Sequence, residues 1–244
     1  MILSDERSRD AGRSRIFPHG PHHVVKFHPP GTPRSVVDHE LRSLLLARSA
    51  GLPVPDAGPV IDVEGRHGLV MERIDGPTML DVLVVDPEGV VPLAGLLAEL
   101  HVAVNRCRAE SLPRRRPLLP VAIDRSPSLS SAEKAELQAL LRALREEDGL
   151  CHGDLHPANV ILAPDGPRII DWCDAHAGSA EEEVAHTLWI IAEAPLPPWV
   201  PAFPVAPRDA FAAAFLDHRA SPGDLDRDQL GSWLRIYRAI AAPS

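Results

Sequence analysis

Apolar positions recur along the chain with two periods, and each marks its own elements. Val36, Val37, Leu41, Leu44 and Leu45 are at helical spacing between Ser35 and Ala50, and the run stops at Gly51 ahead of Pro53 and Pro55. A second stripe, Leu93, Leu96, Leu97, Leu100 and Val104, predicts a long helix from Val90 to about Ala109, with His101 beside it as a packing residue. Ser130-Ser131-Ala132-Glu133 has the form of a capping box and opens a helix that runs to about Glu147. Helices are also predicted over Ala180 to Glu193, Asp209 to His218 and Asp226 to Ala241, the last with Leu230, Trp233, Leu234, Tyr237 and Ile240 on one face. Strand patterns are shorter: Val24 to Phe27, two strands between Val54 and Met71 around a Glu64–Gly65 turn, and two short apolar strands joined by the turn Pro164 to Pro167. Six prolines between Pro195 and Pro207, with Trp199 and Phe203 among them, predict a stiff, packed loop.

The run Cys-His-Gly-Asp-Leu-His-Pro-Ala-Asn from Cys151 to Asn159, followed by Ile-Ile-Asp-Trp from Ile169 to Trp172, adds chemistry to this pattern. Phosphoryl transfer needs a carboxylate near the attacking hydroxyl and hard oxygen ligands that hold Mg²⁺ against phosphates. Asp154 suits the first role, Asn159 and Asp171 the second, and His152 would brace the loop. These oxygens are expected to converge on one magnesium-sized space. A hydrolase in which Asp154, His156 and Asp171 hold an activated water is the rival arrangement of the same residues.

Composition narrows the field. With 244 residues and 45% hydrophobic content, the chain can build one large domain or two smaller lobes. A net charge of −9 argues against nucleic acid as a partner and is compatible with a cationic substrate. The acids Asp217, Asp224, Asp226 and Asp228 serve either solubility or such a substrate. Arg114 to Arg116 is too short for a nucleic-acid patch and reads as a solvated loop, while Glu181, Glu182 and Glu183 are accounted for by a helix N-terminus. Cys107, Cys151 and Cys173 are odd in number and lack paired spacing, so no disulfide framework or zinc site is expected; a cluster of Cys151 and Cys173 with His152 and His156 is the alternative. No stretch has the length and apolarity of a membrane span or a signal sequence, and a cytoplasmic protein is expected. The chain has two lysines, Lys26 and Lys134, which makes Lys26 within an apolar run conspicuous.

His-Gly-Asp-Leu-His-Pro-Ala-Asn with Ile-Ile-Asp-Trp resembles the aminoglycoside phosphotransferase and choline kinase group. That resemblance implies an α+β, two-lobed protein-kinase-like fold, with a small N-terminal antiparallel sheet plus a helix in residues 1–74 and a larger, mainly helical lobe in 75–244. It implies ATP, Mg²⁺ and a small-molecule hydroxyl acceptor, with an aminoglycoside or other cationic antibiotic, an amino alcohol or a sugar as the classes. Carried over by position, Asp154 is the catalytic base, Asn159 and Asp171 the metal ligands and His152 the loop histidine. Lys26 and Glu40 are the ion pair that meets the nucleotide phosphates, and Glu72 and Ile74 occupy the hinge that meets adenine. The group also has a Gly-rich loop between two strands ahead of the lysine. Here only Gly12, Gly20 and the Arg13-to-Phe17 segment precede Lys26, with no full strand expected, which raises the alternative of a catalytically impaired nucleotide-binding protein.

Overall fold

The computed structural model describes residues 14–86, 89–195, 205–221 and 223–241. In chain order its elements are β1 (Arg15–Pro18), β2 (His23–Phe27), α1 (Arg34–Ser49), β3 (Ala57–Val63), β4 (Arg66–Glu72), α2 (Met79–Val85), α3 (Val90–Asn105), α4 (Leu119–Arg125) and α5 (Ser131–Ala143). There follow β5 (Gly149–Cys151), β6 (Val160–Ala163), β7 (Gly166–Ile169), β8 (His176–Gly178), α6 (Ala180–Ala192), α7 (Val205–Ala220) and α8 (Arg227–Ala241). They form two compact units: residues 1–76 with 161–174, and residues 77–160 with 175–244.

The first unit is built on a four-stranded antiparallel sheet in the order β1-β2-β4-β3. Because side chains alternate across a strand, Val25 and Phe27 share one face with Val70, and Phe17, Ile61 and Val63 pack around them. Lys26 points to the opposite face, where α1 lies. Gly68 lies opposite Phe27, and a Cβ there would come within 2.6 Å of the Phe27 ring, so the strand needs glycine at that point. Glu64 and Gly65, both at positive φ, make the tight turn between β3 and β4. The buried stripe of α1 is Val37, Glu40, Ser43, Leu44 and Ala47, whereas Val36 and Leu45 of the expected stripe face outward. A glutamate therefore sits where the helix meets its own unit. The 3-10 turn Trp172–Asp174 packs against α1, and the hairpin of β6 and β7 is tied to the chain before β3 by Ile169 N–H donating to Pro53 O at 2.8 Å.

Helices dominate the second unit. α3 packs on α7, and α6 on both α7 and α8, while β5 and β8 form a two-stranded ribbon that leads into the His152 loop. Two capping boxes start helices: Ser130 with Glu133 at α5, as expected, and Thr78 with Asp81 at α2.

Several expectations are corrected. A strand does precede Lys26: β1 pairs with β2 from Arg15 opposite Phe27 to Pro18 opposite Val24, and Gly20 turns the chain at φ +74°. Helices α2 and α4 were not foreseen, α3 stops at Asn105 and α5 at Ala143. α7 begins at Val205, inside the stretch expected to be loop; Pro207 is tolerated because it stands in the first turn, where its missing N–H has no helical partner to lose. The rest of that proline-rich stretch, residues 196–204, lies outside the described residues, as does Gly12. The arginine run is not a solvated loop. Arg114 donates to Glu147 O and pairs with Asp148, Arg116 clamps the carbonyls of Leu141, Leu144 and Arg145 behind α5, and Arg115 reaches the Gly153 carbonyl at 3.1 Å.

Candidate functional site

Lys26 is buried on β2 and its ammonium lies 2.6 Å from Glu40 Oε1 and 2.7 Å from Asp171 Oδ1. Glu40, 1% exposed, uses its other oxygen at 2.8 Å from His28 Nε2. Burial presses the lysine toward its neutral form, but the charges of Glu40 and Asp171 more than offset this and raise its pKa above the usual range. The same opposition acts on Glu40. Burial raises it, the Lys26 charge and the His28 hydrogen bond lower it, and the net shift is downward. Both members of the pair are therefore charged at neutral pH.

Asp171 adopts φ +67°, a left-handed conformation that aspartate tolerates better than most residues and that concentrates at functional sites. Cys173 Sγ donates to its Oδ1 at 3.0 Å, and the carboxylate remains 40% exposed. At the end of β4, the Glu72 N–H donates to Asp56 O at 2.8 Å and its carboxylate accepts from Asp56 N–H at 3.0 Å. Ile74 lies beyond the end of β4 and is partly buried.

In the second unit nearly every peptide group of the loop after β5 is held. Glu183, buried on α6, accepts from His152 N–H at 3.1 Å and from Gly153 N–H at 3.0 Å. His152 is fully buried and its Nδ1 accepts from Asp154 N–H at 3.2 Å, which closes a turn around Gly153 at φ +83°. The Leu155 carbonyl takes Thr187 Oγ1 at 2.8 Å and His101 Nε2 at 3.2 Å. Asn159 spends its amide N–H groups on Asp154 O at 2.8 Å and Asp154 Oδ2 at 3.0 Å, which orients its Oδ1 away from those partners. His156 Nε2 lies 3.5 Å from Asp154 Oδ2. Burial raises the Asp154 pKa, but the His156 hydrogen bond and the charges of His156, His152 and His186 outweigh it, so the carboxyl sits below its ordinary value and is ionised.

The structure thus joins Lys26, Glu40 and Asp171 in the first unit, and His152, Asp154 and Asn159 in the second. Three residues that the sequence reading set aside hold the loop: Glu183, Arg115 and His101. The glutamates of α6 are not solvated dipole partners. Glu181 accepts from Asp226 N–H, Glu182 meets His176 Nε2 and Tyr237 OH, and Glu183 holds the loop. The largely apolar run of α6 after them, Val184 to Ala192 interrupted by His186 and Thr187, was the signal that most of this helix is buried. The C-terminal acids Asp224 and Asp226 are engaged within the protein, the first by Arg219 and the second by Arg145 and as the N-cap of α8.

Asp171 in the first unit and Asn159 in the second each carry a group that is chemically suited to a magnesium ion. A carboxylate and a carboxamide oxygen are hard ligands, and Mg²⁺ accepts one or two such groups while phosphates and water complete its shell. Among the described residues no group of three or more His, Cys, Asp or Glu side chains is arranged to hold a metal, which leaves no support for a Cys/His cluster. The three cysteines are free.

A lysine clasped between a strand and a helix, ahead of an Asp–Asn loop braced from a buried helix, belongs to the kinase-like class of phosphotransferase folds. The model of the phosphotransferase enzyme family matches residues 13–225, and the chain belongs to that family. It is therefore an enzyme of the small-molecule kinase class. No curated protein sequence matches it. Among solved structures it is similar to an aminoglycoside-3'-phosphotransferase of type VIII, with 22% identity, a TM-score of 0.67, and 98% of this chain and 92% of the other covered. Aminoglycoside phosphotransferase APH(3'')-Id from Streptomyces rimosus is 15% identical at a TM-score of 0.62, covering 96% and 94%. An amicoumacin kinase, solved with AMP-PNP and Ca²⁺, is 14% identical at a TM-score of 0.61, covering 93% and 79%. These likenesses establish the α+β, protein-kinase-like fold. Among the described residues no helix is long and apolar enough to cross a membrane.

Proposed function

We propose that the chain transfers the γ-phosphoryl group of ATP to a hydroxyl of a small molecule, giving a phosphate ester and ADP. Asp154 orients the acceptor hydroxyl and takes its proton; its ionised state suits that role. Asn159 and Asp171 hold Mg²⁺, which supplies charge neutralisation at the phosphates. Lys26, fixed by Glu40, meets the α- and β-phosphates. His152 shapes the loop that carries Asp154, and Glu72 and Ile74 meet adenine with their backbones. Aminoglycosides, other cationic antibiotics, amino alcohols and sugars are the candidate acceptor classes, and a cytoplasmic location accords with a nucleotide substrate.

The observation that carries this reading is the buried Lys26 ammonium between Glu40 and Asp171. A desolvated cation held by two carboxylates is expensive as a structural device alone, and a cation fixed in place is what phosphate binding uses once Asp171 turns to the metal. The alternative of an impaired nucleotide-binding protein rested on a degraded Gly-rich loop and a missing strand before Lys26; β1 supplies the strand, and Gly20 stands in the turn between β1 and β2. Purified protein with Mg-ATP should consume ATP in the presence of one acceptor from a panel of aminoglycosides, amino alcohols and sugars. Activity surviving both Asp154→Ala and Asp171→Ala would overturn the assignment.

A further inference from the structure

His28 has no step in the reaction proposed above, yet its imidazole holds the second oxygen of Glu40. It stands just past the end of β2, two residues after Lys26, and both side chains end on Glu40. Lys26 Nζ takes Oε1 at 2.6 Å and His28 Nε2 takes Oε2 at 2.8 Å. Both His28 and Glu40 are buried, and the His28 carbonyl is fixed in turn by Arg66 Nη2 at 2.9 Å, whose guanidinium lies over the Phe27 ring. A carboxylate accepts only, so Nε2 must carry the proton. The neutral Nε2–H tautomer satisfies this without a second positive charge.

We propose that His28 is a positioning residue for the nucleotide site. It ties Glu40, and hence α1, to the sheet by a bond that does not pass through Lys26. The lysine has two carboxylate partners, and on the proposed reading its ammonium turns toward phosphate when nucleotide binds. With Lys26 as its only donor, Glu40 would be free to swing with α1 whenever the lysine moved. With His28 on its second oxygen, Glu40 stays in place and Lys26 returns to one position. The helix-bound carboxylate is thereby held in its working position before nucleotide arrives. This inference rests on the phosphotransferase reading and adds a residue to it.

The test compares His28→Phe, which fills the space without donating, with His28→Gln, whose amide can donate to Glu40. In His28→Phe, Mg-ATP should bind about tenfold more weakly by calorimetry, the size expected for losing one hydrogen bond to a buried charge. His28→Gln should stay within about threefold of the parent. Without nucleotide, the His28 Nε2–H should be protected from exchange in ¹H–¹⁵N spectra, and Glu40→Ala should abolish that protection. A purely structural role predicts lower melting temperatures with Mg-ATP affinity unchanged. That result, or glutamine doing no better than phenylalanine, overturns the proposal. Failure of the parent protein to bind Mg-ATP at all would instead sink the phosphotransferase reading, and this inference with it.

Discussion

Replacing Glu40 by alanine removes the carboxylate that faces two buried donors. Breaking a buried pair by deleting one partner destabilises by about 3–5 kcal/mol, because the remaining charge is stranded. Lys26 keeps Asp171, a partly screened carboxylate 40% exposed, so its charge is not wholly stranded and the loss is expected at the low end, about 3 kcal/mol. For a chain of this size each kcal/mol shifts the melting temperature by about 2–4 °C, so the transition that melts the sheet should fall by about 6–12 °C. The double variant Lys26→Met/Glu40→Gln removes both charges and leaves an acceptor for His28. It should recover to within about 1 kcal/mol of the parent, since buried ion pairs are often replaceable by uncharged residues without loss. Scanning calorimetry of the parent, Lys26→Met, Glu40→Gln and the double variant completes a mutant cycle. Additive effects, or a Glu40→Ala protein that melts within about 2 °C of the parent, would show that Glu40 is not the energetic partner of Lys26.

The other predictions concern catalysis, metal, backbone and pH. Asp154→Ala should lower the rate of phosphate transfer by about 10²–10⁴-fold in an ATP-consumption assay without unfolding the protein. Asp171→Ala should abolish the Mg²⁺ dependence of nucleotide binding by calorimetry, and retention of that dependence would exclude Asp171 as a ligand. A Cβ at Gly178 would stand 2.7 Å from Glu182 Oε2 and 3.0 Å from Cys151 Sγ, so Gly178→Ala should lower stability by about 1–3 kcal/mol in urea unfolding. Burial drives His101 down to about 3 from 6.5, so it stays neutral in the fold while its unfolded counterpart takes a proton as pH falls below about 6.5. Its contribution is intact above that pH and shrinks on acidification by about 2 kcal/mol at about pH 5. His101→Gln should flatten the acid limb of the melting-temperature profile by that amount, and an unchanged limb would assign the acid sensitivity elsewhere.

What could be read from the sequence followed from how local each determinant is. The stripe from Val36 to Leu45 announced α1, and Ser130 with Glu133 announced α5, because both signals lie within a turn or two of chain. Thr78 and Asp81 carried the same capping signal around the start of α2, but the apolar run there is too short for periodicity to separate helix from strand. β1 has four residues, ends in proline and is stabilised mainly by its ladder to β2, so its own pattern is faint. The motif residues were recognisable because their spacing is set by the loop itself. Glu183 was not, because its partners lie about thirty residues earlier, and a glutamate at a helix start looks the same whether it faces water or two buried amides. His28 was hidden for the same reason: its role exists only where α1 delivers Glu40.

The chain passes between the two units at Gly76, at Val160 and again at Asp174. A gene cut after codon 76 would therefore not yield a working half. Its product would strand Lys26 with one counter-ion fewer, strip α1 of the Trp172–Asp174 turn it rests on, and leave Pro53 O without the Ile169 amide. An autonomous fragment would have to be spliced rather than truncated, with residues 14–76 joined by a short linker to 161–174. Whoever dissects this enzyme should expect the lysine and its aspartate to be inherited together.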